Sequence, residues 1–564
     1  MDVDLAIEKI GVGRFQWPVL IATGLTWSGD AMELSVMAYV LPVLQHEWAV
    51  SQPAADSFAS IIFVGMLVGA FGWGLLSDAY GRRVGWQAST ALTAIAGVLS
   101  AAAPDGAVGT FLALRACVGV GLAGTNIGFA LSSELLPRRD RGTLLMLFEL
   151  FFVSGSVVEV LLAWLALSSY GWRSVLLLST LPLWVALALS PYVPESPRWL
   201  ASHGHTAAAA AVLRRGATAN GRPPPLPADA TLVCASDTDG SRAGDEGTDV
   251  GNGGGGGSGA DAEALDAARA PSHCSSVDIS QIRPTSRASG GSSACAAPCT
   301  TVWRAARGGA LHLATTVFDR RVRFTSLAIC IAWGSAWFAY FGCILLTPKV
   351  LAAALPPSPP SPPSMLSAPN ASAPAMLTAG THADEVYASS LLATLAEVPG
   401  LLLATCAVNR LGRVQTIATC MLLACTALIA TALVHTAADI RGSVGLRATP
   451  LALLQVVLLA FARLCSFGGF SALYLLTAES YPTRLRATAF GLVSACSRLA
   501  GTATPFVAGT VWAASPLGAL LAYATSAAIC AIVLLVAVAD TSRRAMPDEL
   551  HALVPTPLGD GAGD

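Results

Sequence analysis

Charge is what this sequence lacks. Of its 564 residues only 12% are charged, 33 basic and 35 acidic, while 54% are hydrophobic. A soluble domain carries about 25% charged residues, so a soluble chain of this length would need roughly twice as many. The shortage excludes an ordinary cytosolic enzyme and puts lipid in place of water around much of the chain. A net charge of −2 offers no basic footprint for nucleic acid. Lysine occurs only at Lys9 and Lys349, which reads as coding bias rather than mechanism. The 13 cysteines include no CxxC pair and no Cys/His ligand spacing, so no metal site is expected. Cys117, Cys330, Cys406, Cys465 and Cys530 sit in apolar runs as small hydrophobes. The first ten residues lack the basic start and small-residue cleavage site of a signal peptide, so the first apolar run is expected to stay as an anchor.

Long apolar runs are what is present. Twelve can be drawn: 17–41, 56–77, 84–103, 107–131, 143–167, 174–193, 324–346, 386–407, 416–435, 451–475, 487–511 and 517–539. Each is long enough to cross about 30 Å of hydrocarbon. Basic residues in the short loops orient them. Arg82, Arg83, Arg138, Arg139, Arg141, Arg410, Arg413, Arg484, Arg486, Arg543 and Arg544 fall on one side; Arg173, Lys349, Arg441 and Arg447 fall on the other. The arginine-rich side is expected to be cytoplasmic, with both termini. The one N-x-S/T sequon, Asn370-Ala371-Ser372, then lies outside and is the expected glycosylation site. The organisation is a cytoplasmic N-terminus (1–16), a six-helix bundle (17–193), a cytoplasmic linker (194–323), a second bundle (324–539) and a tail (540–564). In the linker, 206–217 reads as a short Ala-rich helix and 222–298 as Gly/Ser-rich flexible chain.

The two halves repeat. Glu134, Pro137 and Arg141 recur as Glu479, Pro482 and Arg486, each 345 residues on. Arg115 and Arg463 sit upstream in matching apolar runs, and Asp78-x-x-Gly81-Arg82 corresponds to Asn409-x-x-Gly412-Arg413. Two six-span halves in parallel repeat form an architecture in which a central site is reached alternately from each side. The expected fold is therefore an all-α membrane protein of 12 transmembrane helices in two pseudo-symmetric six-helix bundles.

These motifs resemble the major facilitator superfamily. Gly74-Leu75-Leu76-Ser77-Asp78-Ala79-Tyr80-Gly81-Arg82-Arg83 matches its G-x-L-x-D-x-x-G-R-R pattern, and Pro194-Glu195-Ser196-Pro197-Arg198-Trp199 the PESPRW pattern of the sugar-porter and organic-ion branches. Ile10 to Trp17, Asp30-Ala31-Met32-Glu33 and Glu479-Ser480-Tyr481-Pro482-Thr483 are similar to the synaptic-vesicle-two-related proteins and their organic-ion relatives. The likeness covers the spans but not the linker. It implies a secondary transporter working by alternating access. Thr405, Asn409 and Val414 depart from the motif in the second half, which leads us to expect a weaker lock there.

Side-chain chemistry gives these motifs roles. Asp78 is expected at a helix N-terminus across the halves, with Arg82 paired to Glu134 and Glu134 to Arg141. Together with Arg83, and with Arg413, Glu479 and Arg486 in the second half, these form a candidate cytoplasmic gate. Charges within spans are costly and usually functional. Asp30 and Glu33, one helical turn apart, and Glu159 are candidate proton carriers, because a carboxyl in apolar surroundings can hold a proton. Glu397 and the cations Arg115, Arg463 and Arg498 complete the set. Glu149, nearer the cytoplasmic end, is expected in a structural pair. Trp337 and Tyr340, within the aromatic run of span seven, are candidate substrate contacts. Acids with aromatics suit an organic cation; buried arginines equally suit a carboxylate.

The literal GxGxxG at Gly119–Gly124 lies inside an apolar span with no strand before it, so it reads as close helix packing rather than a dinucleotide site. No nucleophile, metal or cofactor motif occurs in the loops, so no enzymatic activity and no cofactor are expected. The expected function is proton-coupled transport, as in a symporter, of a small organic ion by a monomer in the lipid bilayer. A sugar or a nicotinate-like carboxylate is the alternative substrate. A non-transporting receptor, sensor or vesicle protein is the rival class.

Overall fold

A computed structural model describes residues 3–225, 323–354, 381–443, 449–481 and 483–538, with the side chains at 71, 138, 354, 381–383, 439–443, 449, 478 and 483–488 left out. The first half runs α1 (Val3–Ile10), α2 (Gln16–Glu47), α3 (Gln52–Tyr80), α4 (Arg82–Ala101), α5 (Val108–Leu122), α6 (Thr125–Glu134), α7 (Arg138–Ser179), α8 (Leu181–Leu189), α9 (Pro197–Ser202) and α10 (Thr206–Ala219). The second runs α11 (Arg323–Ala354), α12 (Thr381–Leu395), α13 (Glu397–Leu411), α14 (Arg413–Ser443), α15 (Thr449–Ser480), α16 (Thr483–Phe506), a five-residue π segment (Val507–Val511), α17 (Trp512–Ala514) and α18 (Pro516–Ala537).

Eight stretches are long and apolar enough to cross a membrane, and one of them, Arg139–Tyr192, runs 54 residues. That is about 80 Å of helix, twice what a bilayer needs. Gly171, with φ 76°, breaks it into the fifth and sixth spans. The helices α2, α4 and α16 have membrane length (32, 20 and 24 residues). Asp30 and Glu33 in α2, Arg82 and Arg83 in α4 and Arg498 in α16 lower their hydropathy. Among the described residues, twelve spans follow the order read from the sequence.

Glycines set how closely the spans approach. A Cβ at Gly119 would stand 2.0 Å from the Ile62 carbonyl oxygen on α3, and one at Gly121 2.2 Å from the Thr93 hydroxyl on α4. The GxGxxG segment therefore lets the fourth span press against its neighbours' backbones.

On the arginine-rich end a small satellite core forms. Val3, Ala6, Ile7 and Ile10 of α1 pack on Ala201, Ala209, Ala210, Leu213 and Ala217 of α9 and α10. The Asn220 amide clamps the turn that follows, its Oδ1 accepting from the Phe15 N–H at 2.9 Å and its Nδ2 donating to the Gly11 carbonyl at 3.2 Å. The expected Ala-rich helix is α10. The flexible stretch 222–298, from residue 226 on, and Asn370 lie outside the described residues.

Candidate functional site

The site is built where spans of both halves meet. Trp27 and Asp30 of α2, Glu149 and Phe152 of α7, Trp337 and Phe341 of α11, Phe467, Phe470 and Tyr474 of α15, and Arg498 of α16 enclose a cavity of about 10 Å³, room for one water. Aromatic contacts carry the closure. Phe152 stacks on Phe467 at 6.2 Å between centroids, and Trp27 meets the edge of Tyr474 at 6.4 Å. The Arg498 guanidinium lies 4.1 Å over the Trp337 ring, which stacks on Phe341 at 4.4 Å.

Asp30, 3% exposed, faces Arg498 across the halves, and its Oδ1 has no hydrogen-bond partner. Glu149 accepts from the Trp27 indole N–H at 3.3 Å and faces Asp30. Sequence reasoning kept Glu149 out of the site as a structurally paired residue. The structure corrects that: it lies on the cavity wall. Its spacing from Phe152, i and i+3 on one helix face, was the available signal.

The other in-span charges are paired outside the cavity. Arg115 donates from Nη1 to Glu33 Oε2 at 2.9 Å, and both side chains are fully buried. Its Nε reaches Ser100 Oγ at 3.2 Å. Arg463 donates from Nη2 to Glu397 Oε1 at 2.6 Å, with the Tyr340 hydroxyl facing both. Although Arg115 and Arg463 correspond in the repeat, Glu33 is on the first span and Glu397 on the eighth. Each half therefore neutralises its arginine from a different helix. Glu159 accepts from Ser179 Oγ at 2.7 Å and faces Glu33.

At the arginine-rich end Arg82 is shared. It pairs with Asp78 one turn back, and its Nε stands 3.6 Å from Glu134 Oε1. Asp78, expected at a helix N-terminus of the other half, is 67% exposed; the side chains that begin α16 lie outside the described residues. Arg141 donates to the Leu136 carbonyl at 2.9 Å, and Arg486 has no described side chain.

In the second half Arg413 reaches Glu479 through Nε at 2.9 Å and Nη2 at 3.0 Å. Set beside the expectation of a weaker lock there, this pair is the closer of the two. The departure from the motif supplies the reason. Asp78 competes with Glu134 for Arg82, whereas Asn409, its counterpart, carries no charge and donates to the Thr405 carbonyl.

One residue of this end had no role in sequence reasoning. Glu195 of the PESPRW segment accepts from the backbone N–H groups of Arg82 at 2.9 Å, Arg83 at 3.1 Å and Ser196 at 2.9 Å. A carboxylate there satisfies free N–H groups of α4 and complements its dipole. Gly81, at φ +104°, leaves the room: a Cβ would stand 2.3 Å from Glu195 Oε2. Trp199 adds an indole bond to the Asp78 carbonyl at 2.9 Å.

The opposite end is joined across the halves. Asp56 on α3 accepts from the Thr510 N–H at 2.8 Å and hydroxyl at 2.7 Å, on the π segment that follows Pro505. Trp164 of α7 donates to Asp384 of α12 at 2.7 Å.

Two six-span halves packed around a central aromatic and charged cavity define a multi-pass membrane protein. Known proteins agree. Residues 25–231 match the family described as sugar (and other) transporter. The chain is 29% identical to the synaptic vesicle 2-related protein of Rattus norvegicus, over 97% of this chain and 83% of that one. It is 28% identical to the organic cation/carnitine transporter 7 of Arabidopsis thaliana, over 98% and 96% respectively. Its fold matches the partially occluded inward open xylose transporter XylE from E. coli with a TM-score of 0.61 at 14% identity, covering 94% of this chain and all of that one. Over nearly its whole length the chain is similar to transporters of the major facilitator superfamily. Its relatives there are membrane transporters, and it is not an enzyme.

Proposed function

We propose that this protein is a proton-coupled secondary transporter of a small organic cation, working by alternating access. The observation that carries the reading is the cavity lining: aromatic faces from both halves, two carboxylates and one guanidinium. Aromatic faces and carboxylates attract a cation that has shed its water. A sugar site needs several neutral donors and acceptors for the hydroxyls, and neither Asn nor Gln lines this cavity among the described residues. The name of the Arabidopsis relative, an organic cation/carnitine transporter, points the same way.

A cavity with room for one water admits a substrate only after the halves part. The cross-half bonds Asp56–Thr510 and Trp164–Asp384 then act as the outer gate, and the Arg82–Glu134 and Arg413–Glu479 pairs order the inner one. With both inner pairs formed, the non-transporting reading loses the weakened second-half lock that motivated it.

Asp30, Glu149 and Glu159 are the proton carriers. Glu33, tied to Arg115, and Glu397, tied to Arg463, hold the helices instead. The arginine-rich end faces the cytoplasm, and Asn370 is glycosylated on the other side. The names of the synaptic vesicle relatives favour an intracellular vesicle membrane. The protein acts as a monomer.

The test is uptake of labelled tetraethylammonium by membrane vesicles carrying the protein. Choline and carnitine should compete; xylose and nicotinate should not, and Asp30→Asn should abolish uptake. Uptake of labelled xylose with no uptake of the cation would overturn the reading in favour of a sugar.

A further inference from the structure

The cavity does not balance its charge. Asp30 and Glu149 contribute two negative charges and Arg498 one positive. The remaining titratable groups nearby do not restore neutrality. Glu33, on the same helix as Asp30, is held by Arg115 at 2.9 Å, and Glu159 of α7, an acid that adds no positive charge, accepts from Ser179 and faces Glu33 outside the cavity lining. On α11 and α15, Tyr340 and Tyr474 face Glu149 with neutral hydroxyls, and the Glu397–Arg463 pair behind Tyr340 cancels itself. Thr125 of α6 brings a hydroxyl toward Asp30, and α8 brings no ionisable side chain. Fully ionised, the closed cavity would hold one unmatched negative charge in a space with room for one water.

Such a charge is costly to bury unless it is paired, and two like carboxylates facing one another in one site disfavour ionisation of both. Both acids are 3% exposed, and Asp30 Oδ1 points its free lone pairs at no donor. One positive charge is missing, and the arrangement takes it in either of two forms.

We propose that Asp30 and Glu149 together hold one positive charge at a time, a proton or the cationic group of the substrate, so that the protein exchanges the two in opposite directions. The inference rests on the organic-cation reading above and adds the direction of coupling, in place of the symport expected from the sequence. With a proton on the pair, the cavity sums to zero. When a monocation enters against the faces of Trp27, Trp337 and Tyr474, the proton becomes surplus and leaves to water on the open side. The loaded cavity again sums to zero. Each cycle moves one cation one way and one proton the other, and no bond to the substrate forms or breaks. Closure over the unloaded, unprotonated pair is the disfavoured step, and that prevents either ion from crossing without the other.

The full-length protein, reconstituted in liposomes, tests this with labelled tetraethylammonium. That ion is permanently charged and cannot follow a pH gradient as a neutral base. Uptake is compared with the interior acid, the exterior acid, and no gradient. Exchange predicts accumulation only with the interior acid, up to about tenfold per pH unit for one-for-one coupling. Accumulation with the exterior acid would overturn exchange while leaving cation transport standing; uptake indifferent to both gradients would overturn coupling. No uptake of tetraethylammonium, choline or carnitine under any gradient removes the cation reading and the inference together. Glu149→Gln should reduce the accumulation ratio to about one, and Glu149→Asp should retain it. An undiminished ratio in Glu149→Gln would take Glu149 out of the pair.

Discussion

The buried pair between Arg115 and Glu33 can be weighed directly. Both side chains have no exposed surface, and the guanidinium has a second bond to Ser100. Glu33→Gln keeps the shape of the side chain and removes its charge, which strands a buried cation. Breaking a buried pair from one side costs about 3–5 kcal/mol. For a cooperative unit of 150–250 residues, the size of one six-helix half, each kcal/mol moves Tm by about 2–4 °C. The variant should therefore melt at least roughly 6 °C below the parent in detergent, read by intrinsic tryptophan fluorescence. Arg115→Met should fall by a similar amount, since it strands the carboxylate. The double variant should recover most of the loss, because an apolar replacement of a whole buried pair is often neutral or stabilising. Two single variants that melt within about 1 °C of the parent would refute the assignment of Glu33 to structure and return it to the proton carriers. A double variant as unstable as the sum of the two would show that packing, not charge, sets the cost.

Gly81→Ala should lower the yield of folded protein and its uptake, since its Cβ would meet Glu195 Oε2 at 2.3 Å in a backbone with φ +104°; size-exclusion profiles and uptake read both, and normal behaviour would remove the cradle argument. Asn409→Asp gives Arg413 a competitor like the one Arg82 has in Asp78. It should weaken the Arg413–Glu479 pair and shift accessibility at this end, measured by labelling of a cysteine placed beside it. Unchanged labelling would count against the competition. Asp56→Ala removes the acceptor for the Thr510 N–H and hydroxyl. It should speed labelling of cysteines introduced at the outer end of α3, and slower or equal labelling would contradict the outer-gate role.

Periodicity and charge placement made the fold legible, and the same cues limited the reading of the site. Twelve apolar runs of span length need no tertiary knowledge, and the residues that depress hydropathy in α2, α4 and α16 were themselves the signal of function. The break at Gly171 falls in the gap between the runs 143–167 and 174–193; its positive φ is the part that a glycine in such a sequence does not announce. Of the residues singled out by their chemistry, Asp30, Trp337 and Arg498 line one cavity. Glu33 and Glu159 do not line it, because Arg115 and Ser179 hold them elsewhere. A sequence gives the identity of a buried acid but not its partner, since partner choice depends on helix rotation. The repeat illustrates this: Arg115 and Arg463 correspond by position, yet one is neutralised from the first span and the other from the eighth.

That difference separates two kinds of buried charge in one bundle. Arg115–Glu33 and Arg463–Glu397 each contain one cation and one anion from the same half, so they remain paired whichever way the halves rock. Asp30 and Arg498 come from different halves, and Glu149 gives the first half a second acid with no cation of its own. Only charges that face each other across the halves change partners when the halves separate, and a ligand can bias an equilibrium only through such differential contacts. If the halves alternate as proposed, the cavity trio is the group through which a bound ion moves the equilibrium. The same reasoning limits what the two internal pairs can contribute: their substitution should change stability and leave the direction of coupling unaltered.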